Sequence, residues 1–302
     1  MIITFITSGF RTTTQDKGRR GYTHLGIPVS GALDVPAMRY ANQLVGNPID
    51  TPVLELTLSG PKLHCEQAGS IALAGANFGV YLNGEKKPNT LRIDLNAGDT
   101  LSFSNPDKGC RGYLAVAGDW QVQRWLGSAS ALRVGSHELL PDAVWKAGDS
   151  LVTVPKRVKP WPTQRIEPAT LSNRITAYAG PEFHWLTEEA KKTLTSHQIT
   201  VCEPSNRVGL RTDTALTIQD KYQNKEMLSS GVMPGTVQVT SGGQAIVLLA
   251  DGQTIGGYPR ILQCSQSTMR SIGQLRAGDT FTLELMPTPH TVDVLSTTKS
   301  YA

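Results

Sequence analysis

The chain has 302 residues and a mass of 32.6 kDa, with 29 basic against 25 acidic residues for a formal net charge of +4. That length suffices for two ordinary domains or one large one, and its scattered charge excludes the concentrated basic face of a nucleic-acid binder. No run approaches the ~20 apolar residues of a membrane span, and the start MIITFITSGF lacks the basic leader and apolar core of a signal peptide, so a cytoplasmic chain is expected.

The first residues read as a strand. A glycine-bounded block follows, Thr13 to Tyr22, and then Gly26 to Asp34. Gln15, Asp16 and Arg19 can form a polar cluster on that loop. Ser30 and Gly31 precede a helix N-terminus, where free amides favour a carboxylate or phosphate; equally, Ser30 or Asp34 can serve only as a cap. His24 is the one histidine near this block and can be read as a base or as a structural group. Asp34, Pro36 and the terminating Gly46 predict a helix over Val35–Val45, with Met38, Ala41, Leu44 and Val45 as its apolar stripe.

Beyond it the chain is mostly β. Runs rich in Val, Ile, Thr, Tyr and Leu predict strands at Val53–Leu58, Ser70–Leu73, Tyr113–Val116, Gln198–Cys202 and Val237–Val239. An Ala-Gly-Asp turn recurs at Asn96–Thr100, Lys146–Ser150 and Arg276–Thr280, each time before an alternating segment, and suits a hairpin. Val154–Pro168 carries four prolines among charges and predicts a linker; Lys156, Arg157 and Lys159 within it form the densest basic stretch. A second helix is expected from Thr187, with Glu188 and Glu189 at its positive end, and a third after Ser267 through Met269 and Ile272.

The segment GQAIVLLADGQTIGGYP, Gly243 to Pro259, carries the sharpest functional signal. Its apolar core, Ala245 to Ala250, reads as a strand covered on both faces. The strand delivers Asp251, Gln253, Thr254 and Tyr258 onto a loop whose Gly256 and Gly257 let backbone approach a ligand. A plain strand-to-strand corner capped by Asp251 is the other reading. Cys65, Cys110, Cys202 and Cys264 stand far apart and the six histidines form no ligand pair, so neither a disulfide framework nor a metal site is expected. There is no GxSxG elbow, Walker A loop or GxGxxG fingerprint.

Eight blocks occur in order: TTTQDKGRRGYTHLGIPVSGALDVPAMRYANQLVGNP, LELTLSGP, YLAVAG, LGSASALRVG, AGPEF, NRVGLR, SSGVMPGTVQV and GQAIVLLADGQTIGGYPRI. Together, over about Ser8 to Leu285, they resemble the biotin-dependent carboxyltransferase-like family. The resemblance implies a mainly β fold with few short helices and two cyclophilin-like β-barrel domains, placed at 1–154 and 169–302 around the linker 155–168. In the family's oxoprolinase branch such a chain works with B-subunit-like and A-subunit-like partners, opening the lactam of 5-oxoproline to L-glutamate at the expense of ATP. ATP is then used by the complex and not clearly bound by this chain. Two other branches imply a regulatory partner of a B-subunit-like kinase inhibitor, or carboxyl transfer from biotin on another protein. This chain has no Met-Lys-Met biotin-attachment sequence.

Under that resemblance the expected catalytic residues are Asp251, Asp16, Arg19 and Tyr258. Those expected to bind a small amide or lactam are Gln15, Ser30, Gly31, Gln238, Gln253, Thr254, Gly256 and Gly257. Donors around Gly256, Gly257, Thr254, Tyr258 and Arg19 would hold negative charge on the carbonyl oxygen, and Asp251 or Asp16 would act as base or orient water. Ser230, Thr240, Ala245 and Ile255 depart from the family's common pattern, and none of these departures falls on Asp251, Thr254, Gly256, Gly257, Tyr258 or Pro259.

Overall fold

The β-branched runs do form strands, and among the described residues only four short α-helices accompany them. The structure, a computed structural model, describes residues 1–88, 92–135, 137–155, 170–223, 225 and 227–287. Apart from its first residue, the segment expected as a linker, 155–168, lies outside the described residues, as does its basic stretch. No helix among the described residues is long and apolar enough to cross a membrane.

The first half builds two sheets. A seven-stranded sheet runs in the order Asp119–Trp120, Ser150–Val154, Ile2–Thr7, Lys62–Cys65, Thr100–Phe103, Val80–Leu82, Glu85–Lys87. A five-stranded sheet runs Arg11–Gln15, Val53–Thr57, Arg111–Val116, Gly69–Gly75, Arg92–Leu95. Ile3, Phe5 and Leu63 of the first share one core with Leu54, Leu56 and Leu114 of the second. Because side chains alternate along a strand, the intervening residues of the five-stranded sheet point the other way. There Val53, Ala72 and Ala115 pack under helix α1, Val35–Val45. Asp34 caps α1, accepting from the Ala37 amide at 3.1 Å, and Gly46 ends it at a φ of 76°.

Both faces of this sheet are therefore covered, and Arg111–Val116 is buried at every position. The second face carries polar groups where α1 does not reach. Cross-strand pairing puts Thr13 and Tyr113 on either side of Glu55, and Gln15 beside Val53. This polar face looks toward the second half of the chain.

That half is a closed barrel in the order Arg174–Ala179, Arg260–Cys264, Thr236–Val239, Gln244–Leu248, Gly209–Ala215, Ile199–Cys202, Thr280–Met286. The last strand lies between the first two, parallel to Arg174–Ala179 and antiparallel to Ile199–Cys202. Ile175, Leu210, Val237, Val247 and Ile261 fill the interior, and Leu33 enters the same core from the first half. Helix α2, Glu188–Ser196, begins at the expected Thr187 cap and buries Ala190 and Leu194; α3 is Asp220–Gln223 and α4 is Met269–Ile272.

The three Ala-Gly-Asp turns correct the hairpin expectation. Each glycine has a φ near the left-handed region, 92°, 92° and 88° at Gly98, Gly148 and Gly278. Each Asp accepts from the amide three residues earlier (Asn96, Lys146 and Arg276) at 2.7, 2.7 and 3.0 Å. The turn does not join paired neighbours: Arg92–Leu95 and Thr100–Phe103 belong to different sheets. Instead the Gly N–H and the Asp carbonyl bracket one residue of an adjacent strand, Cys65, Phe5 or Val201, at 2.8–2.9 Å. The turn's local geometry was readable; the distant partner that completes it was not.

Candidate functional site

The polar face of the five-stranded sheet meets the barrel through Arg207. Asn206 shapes the turn that presents it, its Oδ1 accepting from the Val208 amide at 2.8 Å. Backbone bonds from Leu249 to Val208 and from Asp251 to Arg207, both 3.0 Å, lay the two barrel loops side by side. Arg207 then clamps Asp251 through two nitrogens, Nε to Oδ2 at 2.8 Å and Nη2 to Oδ1 at 3.0 Å. Its Nη1 donates to Glu55 Oε1 at 2.7 Å, and Nη2 also reaches the Gly31 carbonyl at 2.6 Å and Gln15 Oε1 at 3.4 Å. One guanidinium thus ties two barrel loops to two strands and one loop of the first half.

Glu55 is wholly buried. Burial would raise its carboxyl, but Arg207 and Arg111 outweigh that effect and hold it below the ordinary glutamate value. Burial likewise opposes the charge on Arg207, and Asp251 and Glu55 together raise it. Arg111 Nε stands 3.7 Å from Glu55 Oε1 and has no hydrogen-bond partner. Tyr113, in full burial beside Glu55 and Asp34, has its phenol raised well above the ordinary value.

Asp251 also meets Ser30, whose hydroxyl lies 2.7 Å from Oδ1 and 2.8 Å from the Ala131 carbonyl, one proton shared between two acceptors. Ser30 has a φ of 57° and its amide donates to the Ala250 carbonyl at 2.8 Å. With three donors on Asp251, one lone-pair direction on Oδ2 is left for a further donor. Gly31 follows at a φ of +90°, and a Cβ there would lie 2.7 Å from Gly18 N and 2.9 Å from the Asp16 carbonyl. Gly31→Ala is expected to cost about 1–3 kcal/mol through backbone that cannot yield. Urea denaturation measures this, and a loss under about 0.5 kcal/mol would mean the loop gives way freely.

Asp16 and Arg19 lie deep in the same block. Asp16 Oδ1 accepts from Gly18 N, Ser128 Oγ and Ser130 Oγ at 2.6–2.8 Å, and Oδ2 from Ala129 N at 2.8 Å. That makes it a knot for the loop 128–130, with Oδ2 also facing Arg124 Nη1 at 3.6 Å. Arg19 donates to the Ser130 carbonyl and stacks 5.3 Å from the Trp125 ring centroid. Its Nε and Nη1 are buried without a partner. Burial pulls this guanidinium below its ordinary value, against Asp16 and Asp251. Buried donors without acceptors are costly, and a site that holds them is suited to an incoming oxygen.

The rest of the expected set forms a second group on the barrel. Gln253 Nε2 donates to Gln238 Oε1 at 3.1 Å, and Gln238 Nε2 to the Tyr258 carbonyl at 3.2 Å. A Cβ on Gly256 would strike Gln238 Nε2 at 2.6 Å, whereas Gly257 has room for one. Thr254 accepts from Val232 through its carbonyl, and Ser230–Gly231 pairs with Ile255–Gly256. Tyr258 is half exposed, and His24 stands exposed in a single 3-10 turn. The structure therefore gathers Gln15, Asp16, Arg19, Ser30, Gly31 and Asp251 around one interface, and ties Gln238, Gln253, Gly256 and Tyr258 to one another.

A cleft of about 940 Å³ opens between the halves, with Arg207, Asp251, Arg111 and Cys110 on its walls. Burial pushes the Cys110 thiol up, so it stays protonated and is no ready nucleophile. Glu55, Arg111 and Arg207 were missed by sequence reasoning. Glu55 had a signal: a lone carboxylate within the apolar Val53–Leu56 run has to find a buried partner.

The family model for the carboxyltransferase domain, subdomains A and B, matches residues 25–285. Over 278 residues the chain is 37% identical to the C subunit of 5-oxoprolinase from Escherichia coli, covering 92% of this chain and 89% of that one. It is 31% identical to the C subunit of 5-oxoprolinase from Haemophilus influenzae, over 91% of this chain and 88% of that one. The crystal structure of the Kluyveromyces lactis urea carboxylase superposes with a TM-score of 0.84 at 26% identity, over 95% of this chain but only 27% of that much longer one.

Proposed function

Because the chain belongs to the family of the carboxyltransferase domain, subdomains A and B, we propose that it is a subunit of an ATP-dependent 5-oxoprolinase. In that role it acts with B-subunit-like and A-subunit-like partners to open the lactam of 5-oxoproline to L-glutamate. The observation that carries this reading is the 37% identity to a relative of that name across nearly the whole of both chains.

The site chemistry is compatible with it. Lactam opening adds water to the ring carbonyl, breaks the carbon–nitrogen bond and sends a proton to the departing amine. The two unpartnered nitrogens of Arg19, Nε and Nη1, are suited to a developing oxyanion or to the substrate carboxylate. Asp251, held by Arg207 and Ser30 with one acceptor direction free, orients the attacking water. Gln15, Gly31 and Asp16 keep these groups in place rather than meeting the reacting atoms. Gln238, Gln253, Thr254, Gly256, Gly257 and Tyr258 form a second wall for the substrate. A partner is favoured by apolar side chains exposed around the Ser230–Gly231 and Ile255–Gly256 ribbon: Leu228, Met233 and Ile255 are 91%, 61% and 57% exposed.

The test is ATP-dependent glutamate release from 5-oxoproline by the purified partner subunits, with and without this chain. Omission is expected to abolish release, and Asp251→Asn to lower kcat about 100-fold with KM changed far less. A rate indifferent to the presence of the chain would sink the assignment.

A further inference from the structure

A charged pair on the barrel fixes the far end of the loop 251–259. Glu182 lies just past the strand Arg174–Ala179, and Arg260 opens the strand Arg260–Cys264. Arg260 donates to Glu182 Oε2 from its backbone N and from Nε, and to Oε1 from Nη2, all at 3.0 Å. The Glu182 amide donates in return to the Arg260 carbonyl at 3.2 Å. Gly180 backs the contact, because a Cβ there would strike that same carbonyl. Only 12% of the Glu182 side chain and 22% of the Arg260 side chain stay exposed. Burial alone would raise the Glu182 carboxyl, but the hydrogen bonds and charge of Arg260 hold it below its ordinary value. A fork of this geometry fixes the backbone that carries it, which a mobile surface ion pair does not.

The pair sits where the barrel ladder breaks step. Pairing of Thr236–Val239 with Arg260–Cys264 shifts register between Val237 and Gln238, so that Gln238 faces Arg260. A bulge of this kind re-aims the side chain beside it. Here that side chain is Gln238, 2% exposed, with Nε2 donating to the Tyr258 carbonyl and Oε1 accepting from Gln253. Each of the two amide atoms keeps one further bonding direction, an acceptor beside a donor. A lactam is a cis amide and presents its carbonyl and N–H along one edge, the complement of that arrangement. Arg260 Nη1 also reaches the Gly231 carbonyl at 3.4 Å, and Gly231 pairs with Ile255 in the adjoining ribbon. We propose that Glu182 and Arg260 are positioning residues that hold Gln238 and the Gly256–Tyr258 wall in register with the amide edge of the substrate. The inference rests on the reading that the chain serves lactam opening, and it deepens that reading by naming what aligns the wall.

Hydrogen exchange on the purified full chain and kinetics of the assembled complex test it separately. The amides of Val232 and Val239 donate to the Thr254 and Pro259 carbonyls at 3.0 and 3.1 Å, and so report on the wall. In Glu182→Gln and Arg260→Gln both are expected to exchange at least about tenfold faster, while Gly209–Ala215, elsewhere in the barrel, exchanges as in wild type. In the complex the same variants are expected to raise KM for 5-oxoproline about tenfold and to leave kcat within about twofold. Arg260→Lys keeps the charge without the fork and should fall between. A pair that only stabilised the fold would reduce the amount of active complex, and hence kcat, without moving KM. Wild-type KM in Glu182→Gln and Arg260→Gln overturns the proposal, as does unchanged exchange at Val232 and Val239. Should the wild-type complex fail to open 5-oxoproline while the variants still free these two amides, the functional reading fails and the hold of the pair on the wall stands.

Discussion

Arg207→Met is expected to remove about 3–5 kcal/mol of stability, the largest loss from any single side chain of the interface. The wild-type guanidinium satisfies Asp251 through two nitrogens and Glu55 through a third. Without it two carboxylates are left buried, one wholly and one 9% exposed, with far less to offset their lost hydration. Lys at this position supplies charge but not the fork, so Arg207→Lys should fall between the two. Adding Asp251→Asn and Glu55→Gln to Arg207→Met should recover part of the loss, because the uncompensated charges are its source. Urea denaturation at neutral pH provides the measurement. A single variant within about 1 kcal/mol of wild type would show that the network orders the interface without stabilising it.

Glu55→Gln is expected to cost about 2–3 kcal/mol at pH 7 and much less in acid. Arg207 and Arg111 overcome the effect of burial and hold the Glu55 carboxyl below its ordinary value, so the folded state binds that proton less tightly than the unfolded chain does. The stabilisation is therefore complete above the unfolded value of about 4.3 and is lost as pH falls through the lower folded value. Asp34 works in the opposite sense. Burial raises its carboxyl despite Arg270 and Gln274, so folding favours its protonated form and gains as pH falls. The quantity to read is thus the difference between wild-type and Glu55→Gln stability curves, in which Asp34 cancels. Curves that stay parallel down to about pH 3 would show that the charge on Glu55 is not what stabilises the fold.

Much of the architecture was legible because it is local. Asp34, Pro36 and Gly46 specify α1 over Val35–Val45 with no help from the rest of the chain, and Thr187 does the same for α2. Strand positions followed from β-branched runs, and their ends moved by a residue or two. The candidate site was legible only in part. Gln15, Asp16, Arg19, Ser30 and Gly31 share one loop block, so their neighbourhood was visible; that Asp251 reaches Ser30 across 221 positions was not. Arg207 and Arg111 were invisible as site residues because an arginine in a strand or turn looks like any solvated charge until its partner is known. Asp16 resembled a base by position, yet its oxygens serve the loop 128–130, a segment more than 110 residues away.

The final barrel strand, Thr280–Met286, sits between the first two, Arg174–Ala179 and Ile199–Cys202. During synthesis the barrel cannot close until this segment has cleared the ribosome, so the other six strands form at most an open sheet whose two outer strands, Arg174–Ala179 and Ile199–Cys202, each keep one unpaired edge. Leu33, made long before, waits as well for the core it completes. The cleft that faces both halves is consequently among the last features of the molecule to exist. A nascent chain stalled short of residue 280 would carry Arg207 and Asp251 but no closed barrel to hold them against Glu55 and Ser30.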